Sequence, residues 1–267
     1  MSMGFHWRSQ KSLGEEAFPE GTVQSFVKEG WEESHPKKLD KIQIEKTVDC
    51  SEIASVHIDA EIGRVLVVSG DEINSSMRIL LVGVSEENRK INLHIRKSSN
   101  LLNVRVEREN DEESNSNVCL LIILPTLEID FLSIRGVEGD IEVKDDISVR
   151  SLEISNSNGD VHVETSEAKK LRITSIKGNI WVRIKEFDSI ILKTNGGNVI
   201  LETETVGFGI EHIKSHVVDQ RNSTNAYDES PLVEIVAPNG FCILKKDYIF
   251  WDSWKRSVLL HWSFLNK

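Results

Sequence analysis

The sequence predicts an all-β fold, a single-strand β-solenoid (β-helix or β-roll) in which each rung of the coil takes about 19–20 residues. A phrase of the form L-x-I-x4-G-x-[IV]-x-V occurs six times, and the glycines of four consecutive copies are 20, 19 and 19 residues apart. Within each half of the phrase the apolar residues alternate with other residues, which is the period of a strand. Because one repeat of this length cannot bury its apolar face alone, we expect neighbouring copies to stack.

The six copies share one internal spacing, which makes a chance match a poor explanation. In every copy the glycine follows the first apolar position by seven residues, and the residue four positions after the start is small. The copies occupy residues 56–67, 132–143, 152–163, 171–182, 190–201 and 233–244.

Each position of the phrase has a physical role. In a strand, residues i and i+2 lie on the same face, so four apolar side chains of each copy point into the coil and give 24 core positions. The chain must turn sharply between the two halves, and glycine permits backbone conformations with positive φ. The glycines predicted to form these structural turns are Gly63, Gly139, Gly159, Gly178, Gly197 and Gly240.

Two regions are predicted: an N-terminal arm over residues 1–40, expected to be partly disordered, and a β-solenoid domain over residues 41–267. Four strands between the first and second copies form either irregular rungs or a small antiparallel sheet that caps the solenoid, and the missing glycine phrase favours the cap. The domain is expected to comprise irregular N-terminal strands (41–130), regular rungs (131–204), an insertion (205–231), a last rung (232–244) and an aromatic C-terminal cap (245–267).

The charge of the chain argues against nucleic acid as a partner. Lys and Arg number 32 against 43 Asp and Glu, which gives a formal net charge of −11. Nucleic-acid affinity comes mainly from Lys and Arg that neutralise phosphates. No apolar run approaches the roughly 18–20 residues that a transmembrane helix needs, so we expect no transmembrane segment.

The start of the chain and its cysteines bear on the compartment. Residues 1–14 lack the apolar core of a secretion signal, which favours a cytoplasmic location. The same residues contain no acid and carry Arg8, Lys11 and three serines, a composition that also fits an organelle-targeting peptide. Three cysteines without a C-x-x-C motif are typical of buried thiols in a reducing compartment.

The repeated columns resemble the putative-adhesin family of β-solenoid domains, in which L-x-I-x-(S/T)-x-N-G-D-(I/V)-x-V recurs every nineteen to twenty residues. The best matches are residues 152–163 and 171–182, and the apolar stretch 118–125, which ends in Pro125, resembles the strand that leads into the family's repeats. The resemblance covers roughly residues 41–244. It implies a β-solenoid with a role in adhesion or cell-envelope sensing, and it implies no catalytic or metal-binding residue. The chain departs from that family because it shows no signal peptide or membrane anchor.

Two groups of residues invite a metal hypothesis. Asp140, Asp160, Asn179 and Asn198 follow four of the turn glycines, but calcium-binding solenoids use G-G-x-G-x-D repeats that this chain lacks, so a turn-capping role is favoured. His212 and His216 stand four residues apart and would share one face of a helix, but no H-E-x-x-H motif accompanies them. We therefore expect neither a metal site nor a cofactor.

Catalytic motifs are also lacking. Glu142, Glu153 and Glu164 are predicted to point outward, as acids on the outer face of a strand usually do when they are solvated surface. There is no G-x-S-x-G nucleophile motif, and the run 195–198 (Asn-Gly-Gly-Asn) is a turn between strands rather than a phosphate loop. The sequence therefore predicts that the protein is not an enzyme.

One pattern points to a binding surface. Trp181, Ile191, Ile200 and Ile243 occupy positions that should face outward, so large apolar side chains are expected on one face of consecutive rungs. Large exposed apolar patches are uncommon on monomers. Either the insertion or the aromatic C-terminal segment covers them as a second small core, or they form a surface for a partner or for oligomerisation.

We therefore predict a non-catalytic binding or scaffold module of adhesin-like type that holds a macromolecular partner, a protein or a glycan, on the stacked rung faces. The alternative is a carbohydrate-binding or carbohydrate-active β-helix protein, which requires outward acids that converge in a groove. A third hypothesis is a structural homo-oligomer joined end to end, against which the aromatic caps speak. The oligomeric state stays open at this point.

Overall fold

The computed structural model describes residues 39–70, 75–86, 90–109, 117–125, 129–144, 147, 149–203, 209–219 and 232–246, with the backbone alone for 39–40, 209–219 and 246. The described chain contains strands and no helix, so the all-β prediction is confirmed. The strands are β1 (Leu39–Asp49), β2 (Ser55–Ile62), β3 (Arg64–Ser69), β4 (Ser76–Glu86), β5 (Ile91–Ser98), β6 (Leu101–Arg108), β7 (Asn117–Leu124), β8 (Ile129–Glu138), β9 (Ile141–Lys144), β10 (Val149–Asn158), β11 (Val161–Lys177), β12 (Ile180–Glu186), β13 (Ser189–Thr194), β14 (Val199–Thr203), β15 (Gly209–Asp219) and β16 (Leu232–Lys246).

The copies of the phrase stack in parallel, and each forms one layer. The first halves form a ladder in the order β2, β8, β10, the second part of β11, β13 and the start of β16, called here the first ladder. The second halves form the second ladder in the order β3, β9, the start of β11, β12, β14 and the end of β16. The pairing keeps sequence register: Leu152 lies between Leu132 and Leu171, and Val161 lies between Ile141 and Ile180.

The N-terminal strands extend both ladders in two ways. Strands β6 and β7 pair in parallel with β2 and β3, so they add a layer that lacks the glycine phrase. Beyond them β5 pairs antiparallel with β6, β4 pairs antiparallel with β7, and β1 pairs antiparallel with β4. The region therefore combines both predicted alternatives. Strands β6 and β7 form an irregular layer, and β1, β4 and β5 form antiparallel edges.

At the other end, the segment interpreted as an insertion contributes a strand. β15 pairs in parallel with both halves of β16 and lies outside the last copy of the phrase. His212 and His216 are therefore on a strand, so the shared helix face that the metal hypothesis required is not formed. Residues 1–38 of the predicted arm and residues 247–267 of the predicted aromatic cap lie outside the described residues.

The two ladders enclose one hydrophobic core. All 24 inward positions of the six copies are buried, and none of these residues is more than 2% exposed. One cluster of buried side chains joins the inward residues of both ladders. At roughly 1.5–3 kcal/mol for each buried aliphatic side chain, these positions dominate the favourable side of folding.

The turn glycines lie along one edge of the stack. Gly178 has φ +147°, and a Cβ atom built on it would overlap the carbonyl oxygen of Gly159 in the next layer. A Cβ on Gly159 would likewise overlap the carbonyl oxygen of Gly139. The layers thus approach so closely at this edge that only glycine fits, as the repeated phrase predicts.

The small residues that precede this edge have a related role. Asn156, which is 1% exposed, donates from Nδ2 to the carbonyl oxygens of Gly139 and Gly159, each at 3.0 Å. The hydroxyl of Thr194 donates to the carbonyl oxygen of Gly178 at 2.9 Å. These buried side chains satisfy carbonyl groups that the sharp turn leaves without strand partners.

Candidate functional site

The predicted apolar residues are divided between the two ladders. Trp181 pairs with Ile200, and Ile200 pairs with Ile243, so these three residues are neighbours in three consecutive layers of the second ladder. They are partly exposed, and we call them the outer stripe. Ile191 instead pairs with Arg172 and Glu234 in the first ladder. The grouping of all four residues on one face was therefore wrong, because the two halves of the phrase face away from each other.

Trp181 is held by the layer before it and by its own strand. The ring of His162 contacts it edge-on, with 3.7 Å between the ring centroids and 71° between the planes. The guanidinium carbon of Arg183 lies 5.5 Å from the centroid of the indole ring, within the range of a cation–π interaction. Fixed contacts of this kind reduce the side-chain entropy that a partner would otherwise have to overcome on binding.

A row of alternating charges runs beside the outer stripe, two residues further along each strand. The carboxylate of Glu202 lies 3.4 Å from Arg183 and 3.4 Å from Lys245, and Arg183 lies 3.1 Å from Glu164. The side chain of Glu202 is only 4% exposed, and these two cations offset the cost of burying its carboxylate. The members of this charge row are Lys144, Glu164, Arg183, Glu202 and Lys245.

The charge row was not predicted, although its signal lies in the sequence. Aligning the six copies one position beyond the end of the phrase gives Val, Lys, Glu, Arg, Glu and Lys. This column lies just beyond the last apolar residue of the phrase. A column that alternates in sign between stacked strands places opposite charges directly beside each other.

The outward acids do not assemble a catalytic pair in the described part of the chain. Burial opposes ionisation of Glu142, but the hydrogen bond from Lys144 and the charge of Arg64 outweigh it and lower the pKa of the carboxyl. Lys144 Nζ lies 2.6 Å from Glu142, and Arg64 also contacts it. Glu153 lies in the first ladder, between Ser133 and Arg172. A general acid needs a raised pKa, which Glu142 does not have.

The Asp and Asn residues that follow the turn glycines bridge the layers. Oδ1 of Asp160 accepts from the backbone N–H of Asn179 at 2.7 Å, and Oδ1 of Asn179 accepts from that of Asn198 at 3.0 Å. Oδ1 of Asp140 accepts from the Asp160 N–H at 2.8 Å. The capping role expected for these residues therefore acts between layers, and we call them the amide ladder. Among residues whose placement is described, no three His, Cys, Asp or Glu side chains are grouped to hold a metal ion.

His162 should make stability depend on pH. Burial lowers the pKa of His162 from 6.5 to about 3. Between these values the unfolded chain binds a proton that the folded chain does not, so stability falls as the pH falls, by about 1.4 kcal/mol per pH unit. Above 6.5 the imidazole is neutral in both states and has no such effect.

The measurement is urea unfolding of the wild type and of His162→Phe at several pH values from 7 to 4, which lie within and just above the window given by this pKa shift. Phe keeps an aromatic edge against Trp181 but cannot be protonated. The carboxyl groups are common to both proteins, so the difference in stability isolates His162. We expect the variant to gain on the wild type as the pH falls, and parallel curves would show that His162 titrates normally.

Comparison with known proteins shows which family the chain resembles. The model of the Toastrack DUF4097 family matches residues 40–216. No curated protein matches the chain. In the described part of the chain, no helix is long and apolar enough to cross a membrane.

Several solved structures are similar at low identity. A putative cell adhesion protein from Clostridium sporogenes is 16% identical, with 78% of this chain and 100% of that chain covered and a TM-score of 0.42. A putative adhesin from Bacteroides fragilis is 11% identical, with 77% and 97% covered and a TM-score of 0.35. A putative lipid binding protein from Parabacteroides distasonis is 8% identical, with 77% and 97% covered and a TM-score of 0.35.

The family match spans more than half of the chain and includes five of the six copies of the repeated phrase. It confirms the adhesin-like resemblance that the phrase indicated. The chain belongs to the Toastrack DUF4097 family.

Proposed function

We propose that this protein is a non-catalytic binding or scaffold module that holds a macromolecular partner on the outer face of its second ladder. The observation that carries the proposal is the outer stripe: Trp181, Ile200 and Ile243 are adjacent in three successive layers. Trp and Arg are enriched among residues that dominate binding energy at interfaces, and here Arg183 lies beside Trp181.

The surroundings of the outer stripe support a protein partner. Interfaces typically have an apolar centre and a polar rim. The charge row borders the stripe on one side, and the amide ladder borders it on the other, because both lie two residues from the stripe along the same strands. A partner centred on the stripe would therefore meet charged and amide groups at its edges.

The fold class that fits this role is the single-strand β-solenoid of about 19–20 residues per rung, capped by N-terminal β strands and by the aromatic C-terminal segment. The in-register parallel layers and the aligned turn glycines support it. Stacked layers give an extended surface, which suits a module that positions another molecule.

We propose no catalytic role. The ion pairs of Glu142 and Glu164 and the separate position of Glu153 support this, since a glycoside hydrolase needs two carboxyl groups that flank one bond. A glycan remains the alternative partner. The expected cytoplasmic location stays a prediction, which imaging of the tagged protein in the native cell would test.

The test compares two partly exposed isoleucines that lie on different ladders. Proximity labelling in the native cell identifies partners of the wild type, and pull-down then compares Ile200→Asp with Ile191→Asp. Both side chains are partly exposed, but only Ile200 belongs to the outer stripe. We expect Ile200→Asp to weaken capture at least about tenfold, which corresponds to about 1.4 kcal/mol of binding free energy, and Ile191→Asp to leave it unchanged.

Unfolding in urea checks that both variants stay folded. Equal capture by all three proteins would remove the outer stripe from the interface. A glycan array with the same proteins separates the two partner classes, because only a glycan-binding protein should give binding there that Ile200→Asp abolishes.

A further inference from the structure

The chain contains three Asn-Gly steps, and all three lie at the turn between the two ladders. They are Asn158-Gly159, Asn195-Gly196 and Asn239-Gly240. Each of the three asparagines is exposed. In such a step the backbone nitrogen of the glycine can attack the side-chain carbonyl of the asparagine, because glycine has no Cβ atom in the way and rotates freely.

Two of the three glycines belong to the closely packed edge of the stack. The N–H of Gly159 donates to the carbonyl oxygen of Lys177 at 2.9 Å. Gly240 lies within β16, and a Cβ atom on it would overlap the carbonyl oxygen of Gly197. Neither backbone can rotate towards its asparagine without separating two layers.

Gly196 is different because it is an additional glycine. It occupies the position held by Asn158 and Lys177 in the preceding layers, one residue before the turn glycine Gly197. β10 continues through Asn158, whereas β13 ends at Thr194 and leaves residues 195 and 196 outside any strand. A Cβ atom on Gly196 would meet only the carbonyl oxygen of Ile176, at 3.5 Å.

The contacts around Asn195 hold its backbone and leave its side chain free. Its N–H donates to the carbonyl oxygen of Ser175 at 3.3 Å, and its carbonyl oxygen accepts from Nδ2 of Asn239 at 2.8 Å. Within the described residues, neither the side chain of Asn195 nor the N–H of Gly196 has a hydrogen-bond partner. The side chain of Asn239, in contrast, is engaged in the hydrogen bond from its Nδ2 to Asn195.

We propose that Asn195 is a site of spontaneous covalent modification, at which the folded protein deamidates through a succinimide. The backbone nitrogen of Gly196 loses its proton to solvent and bonds to Cγ of Asn195, the bond from Cγ to the side-chain nitrogen breaks, and ammonia leaves. Water then opens the ring at either carbonyl and gives aspartate or isoaspartate. The reaction needs no oxidant, cofactor or enzyme.

The product changes the turn between β13 and β14. Both products add a negative charge, and isoaspartate also adds a methylene group to the backbone two residues before Gly197, which packs against Gly178. The modification therefore acts at the edge where the layers are closest.

The test uses the purified full chain, held at mildly alkaline pH and sampled over days, with peptide mass spectrometry of all three Asn-Gly steps. The N–H of Gly159 must first leave its hydrogen bond, which should slow the attack on Asn158 about fivefold. We therefore expect Asn158 to react at least about five times more slowly than Asn195 in the folded protein. In urea, where the layers are lost, the three rates should converge.

Two variants complete the design. Asn195→Gln should abolish the modification at this position, and Gly196→Ala should slow it while leaving the urea unfolding curve unchanged, since the structure has room for the methyl group. The proposal is overturned if Asn158 or Asn239 reacts as fast as Asn195 in the folded protein, or if Asn195 reacts only after unfolding.

Discussion

Replacing Gly178 by valine should lower the free energy of unfolding by about 4 kcal/mol or more, and the variant should fail to fold if the wild type is only marginally stable. Gly178 has φ +147°, a conformation that is strained for a β-branched residue. The new side chain would also overlap the backbone of Gly159, which cannot move without separating two layers. Urea unfolding followed by circular dichroism measures the loss.

Gly196→Val is the matched control. Gly196 lies at the same turn, one layer further along, but its surroundings are open and its φ is not in the left-handed region. We expect a change of less than about 1 kcal/mol, as for most surface substitutions. Similar losses in the two variants would mean that close packing of the turn glycines is not what the fold requires.

Replacing Glu202 by alanine should lower the free energy of unfolding by about 3 kcal/mol. Its carboxylate is buried between Arg183 and Lys245, and removal of one partner leaves the charges of the others in a poorly solvated place. Glu202→Gln keeps the size and the hydrogen-bond acceptor, so a similar loss in that variant would assign the effect to charge.

An exposed ion pair provides the comparison for Glu202. Glu45 lies 2.8 Å from Arg78, and their side chains are 47% and 41% exposed. Glu45→Ala should therefore change stability by no more than about 0.5 kcal/mol in the same urea titration. If Glu202→Ala proves as mild as Glu45→Ala, solvent reaches the charge row and the row does not stabilise the stack.

The sequence was most informative where one physical constraint repeats. The inward residues and turn glycines recur in six copies, so their roles could be inferred from spacing alone. In the described layers the inward residues are buried, and the turn glycines approach one another closely. The parallel layer of β6 and β7 was missed as a layer because it lacks the glycine phrase. Pairing without a repeated turn leaves no periodic signal.

The outer surface was harder to predict. The alternation of a strand shows that Ile191 and Ile200 point outward, but it does not show that they do so on opposite ladders. The chain turns at Gly197. Outward residues before this turn and outward residues after it therefore face opposite sides of the molecule. The burial of Glu202 was also hidden, because an outward charged residue is ordinarily solvated.

The order in which the layers stack differs from their order along the chain, and this affects folding during synthesis. The strand β15 leaves the ribosome before β16, yet β16 lies between β15 and the pair β13 and β14. Until residue 246 has emerged, β15 can compete for the open edges of β13 and β14. A non-native pairing of this kind would be a kinetic trap. Any pairing of β15 with β13 or β14 would have to be undone before β16 could take its place between them.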